Sequence, residues 1–227
     1  ICAVLIVLFI AMLIISQYML SFGKDPNAKV VKKSKSPLSF HPLAIIFGIL
    51  SFVSFLVEGA VGDWSALYLF EDKGIVIEEA VMGVMFFNAT MCIGRLLGNR
   101  LGKHLTSKQV VISGYLLGSV AMALVVLLPG YGSMYTYLLV GISLAMVVPN
   151  LFSAMGEQNV IPMTQAVATS TMLGYMGILM GPALIGFIAH ATSLTIAFSV
   201  LTAMLVISAG IGKYAYMLMD KSKEAEV

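Results

Sequence analysis

Among the residues able to do chemistry, two carboxylates stand out, because both lie in an otherwise apolar stretch, Glu58-Gly59-Ala60-Val61-Gly62-Asp63-Trp64-Ser65. An acidic side chain near the middle of a lipid-spanning helix costs about 2.5–3.5 kcal/mol on insertion scales, so it persists where a bundle interior or a watery cavity receives it. Gly59 and Gly62 lower helix propensity beside the charge, and irregular backbone at membrane depth is tolerated only against protein or water. At about 3.6 residues per turn, Ser51, Ser54, Glu58, Gly62 and Ser65 fall within about 40° of one direction, and Asp63 lies about 140° away. The serines can hydrogen-bond a carboxylate without neutralising it. Glu58 is therefore expected to act as a proton acceptor or solute contact, whereas the bland alternative is a hydrogen bonder between helices. For Asp63, a helix-break or interface role competes with a place on the pathway. Trp64 and Tyr68 are expected to anchor the membrane interface, with capping of a sugar-sized solute as the alternative for Trp64.

Further polar groups lie on other apolar segments. Asn88, Arg95 and Asn99 share a helix face, with Asn88 the deepest. Pro149-Asn150 frees a backbone carbonyl and adds an amide, which either kinks the helix or contacts a solute. Thr171 and Tyr175 lie beside a small-residue stripe of Ser170, Gly174, Gly177 and Gly181, followed by Pro182, and that stripe reads as a close helix contact. Glu157 lies near Arg95 and Arg100 at one face, where a gate pairing it with either arginine is expected. Arg95 itself is expected to be too far from Glu58 to pair, since it falls near a helix end. The cysteines, Cys2 and Cys92, form neither a metal cluster nor a disulfide framework, and neither metal nor cofactor is expected. His41, His104 and His190 fall near segment ends and no Gly-x-Ser-x-Gly elbow occurs, which argues against an intramembrane hydrolase.

The elements that must position these groups follow from composition. Hydrophobic residues make up 59% and charged residues 11% of the chain, with a mean hydropathy of +0.99. Soluble domains are roughly 45–50% apolar, so an all-α, polytopic membrane helical bundle is expected. Seven apolar segments, at 1–22, 42–70, 80–98, 108–128, 134–154, 162–189 and 193–218, each approach the ~20 residues that a helix needs to cross the bilayer. Residues 23–41 carry five lysines and two prolines without apolar periodicity and read as a linker. Alternating the sides of the membrane places every lysine and arginine except Lys73 on one face, cytoplasmic by the positive-inside rule. The stretch 71–79, with Glu71, Asp72, Glu78 and Glu79, falls on the other. The small net charge of +2 gives no reason to expect nucleic acid.

Gly94-Arg95-Leu96-Leu97-Gly98-Asn99-Arg100-Leu101-Gly102-Lys103-His104 resembles the glycine- and arginine-rich loop of the Major Facilitator Superfamily, with Asn99 where the usual pattern carries Asp. The run of Gly174, Gly177, Gly181, Pro182 and Gly186 is similar to that superfamily's Gly-Pro helix motif, and Glu58-Gly59 followed by Asp63-Trp64-Ser65 and Tyr68 looks like fucose-permease-like bacterial members. The resemblance implies that residues 1–22 are the last helix of an N-terminal half, 23–41 the central cytoplasmic loop and 42–227 the six-helix C-terminal half. It implies a secondary active, proton-coupled, alternating-access carrier of a small solute in a bacterial inner membrane, completed by the missing N-terminal half. A membrane-embedded sensor or assembly scaffold that keeps the fold without transport is the alternative.

Overall fold

The computed structural model describes residues 9–10, 12–16, 38, 41–101 and 105–224, with only the backbone at 99–101 and 223–224. Contacts divide the chain into two units, Ile1–Lys35 and Ser36–Val227. In the first, residues 9–10 and 12–16 are helical, and Ser16 Oγ donates to Leu13 O. The rest of the span expected at 1–22, and the linker expected at 23–41 apart from residues 38 and 41, lie outside the described residues.

Among its described residues the second unit consists of α-helices joined by short turns, with no strand. Its helices are α1 Pro42–Glu71, α2 Ile77–Leu101, α3 Ser107–Leu127, α4 Gly130–Leu144, α5 Val147–Glu157, α6 Met163–Ala191 and α7 Leu194–Glu224. Six helical stretches, with α4 and α5 counted as one, are long and apolar enough to cross a membrane. Many large apolar side chains remain exposed along them, including Leu116, Leu117, Val120, Leu179 and Phe187. Water would penalise such a surface and lipid would not. The chain is a multi-pass integral membrane protein.

Local chemistry sets the ends. His41 Nδ1 accepts from Leu43 N, with Pro42 at the first helical position where its missing N–H costs nothing. Thr106 and Gln109 form a reciprocal capping box at the start of α3. Gly74, at φ +69°, makes the turn after α1, and Ile75 N donates back to Leu69 O. Lys73 in that turn donates to Val126 O near the end of α3, where a cation complements the helix dipole. The connection expected over 71–79 is thus shorter, because both flanking helices extend into it. The span expected at 134–154 begins at Gly130 and is broken at Ala145–Met146. Pro149 accounts for the break, since its ring meets the carbonyl four residues earlier, that of Ala145.

Short connections make successive helices alternate in direction, so α1, α3, α6 run one way and α2, α4, α5, α7 the other. The first end, where α1, α3 and α6 begin, is termed the basic end. The strongest packing joins α1 to α6, α2 to α4 and α3 to α7. If α1, α2, α3 are exchanged with α4/α5, α6, α7, the same set of pairs results, and the two triads start from opposite ends. The unit therefore has an inverted internal symmetry.

The parallel pairs approach closely. A Cβ at Gly177 would overlap Phe52 O, and one at Gly181 would lie 2.8 Å from Leu56 O, so α6 rests on the backbone of α1. On the other pair, a Cβ at Gly141 of α4 would overlap Phe87 O of α2. Small residues at such crossings allow the van der Waals contact that drives helix association in lipid. The antiparallel α3–α7 pair is joined at the basic end by Lys108 Nζ to Asp220 Oδ2, at 2.9 Å.

Candidate functional site

Helix α1 is the most enclosed of the spans, at 61% buried, whereas α2 and α6 are 28% and 22% buried. Among the described residues, helices α2 and α6 both pack on α1 but not on each other, and Gly62 and Asp63 of α1 are exposed, so an uncovered face of the unit lies beside α1, between α2 and α6. Glu58 opens onto it.

Arg95 Nη2 donates to both Glu58 carboxylate oxygens, each at 3.3 Å. The expectation that these residues lie too far apart is overturned, and helix geometry gives the reason. Glu58 is thirteen residues from the end of α1 at Glu71, and Arg95 is eighteen from the start of α2 at Ile77. At 1.5 Å per residue the two Cα atoms differ in depth by only about 7 Å. Side chains lean toward the N-terminus of their helix, which in these antiparallel helices tilts Glu58 toward the basic end and Arg95 away from it. The two leans converge. The side chains are 25% and 44% exposed respectively. Bare Coulomb attraction at 3.3 Å would be about 5 kcal/mol at an effective dielectric of 20, before solvent screening and desolvation reduce it.

The serines expected to bond Glu58 do not. Ser54 Oγ shares a 2.8 Å hydrogen bond with Tyr115 OH, which donates to Leu50 O, so Ser54 clamps α3 to α1. The Ser51 and Ser65 hydroxyls are buried, with no hydrogen-bond partner among the described residues. Only the middle of the serine stripe, at Glu58 and Gly62, reaches the open face, because α3 and the other helices cover its ends.

Beyond the ion pair, Phe55, one turn before Glu58, stacks on Tyr175 of α6 with centroids 6.0 Å apart, and Tyr175 is largely exposed. Thr171, one turn earlier on α6, is half-buried. Asp63 is exposed and has no partner among the described residues, and no Cβ neighbour lies within 4 Å of Gly62. Asn88 is exposed on the Arg95 face of α2, with its amide donating to Val84 O of its own helix. Gly174, Gly177, Gly181 and Pro182 lie on the α1–α6 seam, and Pro182 O accepts from Trp64 Nε1 at 3.0 Å. Trp64 is thereby a tie between helices as well as a wall of the cleft at the far end. Tyr68 is no interface anchor, being fully buried and stacked on Phe198 at 4.5 Å between centroids.

At the basic end the expected Glu157–Arg95 gate is not made, because Arg95 is engaged by Glu58 and Glu157 accepts from Ser107 Oγ. The side chain of Arg100 lies outside the described residues. Asn150 turns its amide onto Met146 O at 2.8 Å, bracing the break between α4 and α5, and it also lines a cleft of about 140 Å³ with Gly98, Ser113 and Ser143. Sequence reasoning missed the Glu58–Arg95 pair and the Phe55 platform. Phe55 carried no signal beyond its spacing from Glu58, while the pair could have been found by measuring depth from the shared outer ends.

No family model matches the chain. A search of curated proteins finds an uncharacterized MFS-type transporter of Yersinia pestis, 39% identical over 163 residues that cover 71% of this chain and 42% of the relative. The membrane protein MosC of Rhizobium meliloti is 31% identical over 66% of the chain and 37% of its own length. An uncharacterized transporter of Sinorhizobium fredii is 31% identical over 67% of the chain and 41% of its own length. The chain thus spans about 40% of the length of the curated relatives it matches. Among solved structures, the peptide transporter POT, a mutant in complex with sulfate, superposes with a TM-score of 0.62 at 15% identity over 75% of this chain and 36% of that one. That likeness shows the helical fold. By kinship to its curated relatives and by fold, the chain belongs to the Major Facilitator Superfamily.

Proposed function

We propose that this chain is the C-terminal half of a secondary active transporter that moves a small solute by alternating access, with proton uptake at Glu58 coupled to the movement. The observation that carries the reading is the half-exposed Glu58–Arg95 pair on the open face of membrane-spanning helices. Intramembrane charges are costly unless they serve a pathway or a pairing. In this reading a second helical half closes a cavity over the pair. The relatives named as transporters support the same reading, as does their greater length. In this reading Glu58 and Arg95 form the centre of the pathway, Asn88, Thr171, Tyr175 and Asp63 border it, and Arg100 and Glu157 belong to the basic, cytoplasmic end of a bacterial inner-membrane protein. Asn150 serves the helix break.

The test is proton-driven uptake by the full-length protein in vesicles. Glu58→Gln keeps shape and most hydrogen bonding while removing titration. It is expected to abolish accumulation driven by a pH gradient and to leave solute exchange and folding intact. Wild-type accumulation in that variant would remove Glu58 from the coupling step.

A further inference from the structure

We infer that the solute is a small organic anion, a monocarboxylate with an apolar or ring-shaped body, held by Arg95 when protonation of Glu58 releases that arginine. The inference rests on the transport reading above and deepens it. Arg95 uses one nitrogen, Nη2, to straddle both oxygens of Glu58. Its Nε and Nη1 donors make no hydrogen bond among the described residues, and the side chain is 44% exposed. A guanidinium offers a fork that matches a carboxylate bidentately, and Glu58 does not take that fork. The unused edge is therefore open to a second acceptor group arriving along the uncovered face. The aromatic pair Phe55–Tyr175 begins one turn of α1 away, and the exposed Tyr175 ring offers a flat apolar surface for the body of such a solute.

Charge decides the order of events. Two carboxylates on one guanidinium repel each other, so an ionised Glu58 competes with the solute for Arg95. When Glu58 takes a proton it becomes a neutral acid, Arg95 keeps its positive charge, and the solute carboxylate replaces the one that was lost. One proton and one anion then enter together and no net charge is left in the bundle. Arg95 is the one charged side chain brought to Glu58 among the described residues. Of the helices packed on α1, α2 also carries Cys92 and, at its outer start, Glu78 and Glu79. Helix α6 carries Tyr175 and the terminal His190. Helix α5 carries Glu157, bonded to Ser107, α4 has tyrosines alone, and the charged groups of α7, from Lys213 onward, lie toward the basic end. Tyr115 of α3, which reaches α1 through its hydroxyl, is spent on Ser54 and Leu50.

The experiment measures binding to the full-length transporter of benzoate, benzamide, benzylamine and sorbitol, together with aliphatic and hydroxylated monocarboxylates, between pH 5.5 and 8. Uptake of the same panel is measured in vesicles. Monocarboxylates are expected to bind best at low pH, and to lose up to about tenfold in affinity per pH unit once Glu58 ionises. In Glu58→Gln the affinity should be high and independent of pH. Arg95→Gln should lower monocarboxylate affinity at least about tenfold, and the Glu58→Gln/Arg95→Gln variant, which leaves no unpaired charge to disturb folding, should show the same loss. Monocarboxylate binding that survives in the double variant overturns the assignment, as does failure of every monocarboxylate to bind. Uptake of benzamide, benzylamine or sorbitol that is indifferent to Arg95→Gln overturns the anion class and leaves transport standing. Absence of uptake for every solute counts against the transport reading as well.

Discussion

Substituting Gly177 with Ala adds one methyl group at the place where α6 crosses α1. The new Cβ would overlap the carbonyl oxygen of Phe52 and lie 3.0 and 3.1 Å from the carbonyl carbon and Cα of the same residue. All three are backbone atoms and cannot rotate aside as a side chain would. Ordinary carbon contacts are about 3.5–4.0 Å, so the helices must separate by roughly 1 Å. A gap of that size forfeits about a quarter to a half of the contact energy along the seam. Overpacking of this kind costs about 1–3 kcal/mol. At roughly 2–4 °C per kcal/mol, the thermal midpoint of the detergent-solubilised full-length protein should fall by roughly 2–12 °C. The matched control is Gly62→Ala on α1, where nothing lies within 4 Å of the added Cβ. There the helix gains about 0.4–1 kcal/mol, so the midpoint should hold or rise. The reasoning predicts opposite signs for the same chemical change on two packed helices. A Gly177→Ala protein as stable as wild type, or a Gly62→Ala protein that falls further, would refute it.

Tyr115→Phe leaves Ser54 without its partner and is expected to cost about 1–3 kcal/mol in a thermal-shift assay, while Ser54→Ala added to it should cost less than the sum of the two single changes. The Lys108–Asp220 pair is exposed on both sides. Lys108→Gln is therefore expected to cost under about 1 kcal/mol, and a larger loss would show that the pair carries more than surface pairs do. Orientation is read by cysteine labelling in a background lacking Cys2 and Cys92. A cysteine at Asp72 should react with an impermeant reagent from outside the cell, and one at Asp220 only from the cytoplasm. The reverse pattern would invert the orientation drawn from the lysine and arginine distribution.

Composition alone decided that this chain builds membrane-spanning helices, because a bilayer rewards long apolar runs and requires each to satisfy its own backbone. The small-residue periodicity at Gly174, Gly177 and Gly181 carried the close approach of α6 to a neighbour, since only side-chain size is needed to read it. Pro149 likewise marked a break, placed by the structure at Ala145–Met146. The identity of that neighbour, and of every partner of Glu58, was decided only by the tertiary structure. A helical wheel gives the direction of a residue around one helix, and says nothing of which helix covers it or at what depth a neighbour's side chain arrives. The serine stripe shows the difference: Ser54 turned to Tyr115, Ser51 and Ser65 were buried, and Glu58 alone met a charge. That charge came from Arg95, near a helix end in the chain but level with Glu58 in space, because two antiparallel helices lean their side chains toward each other.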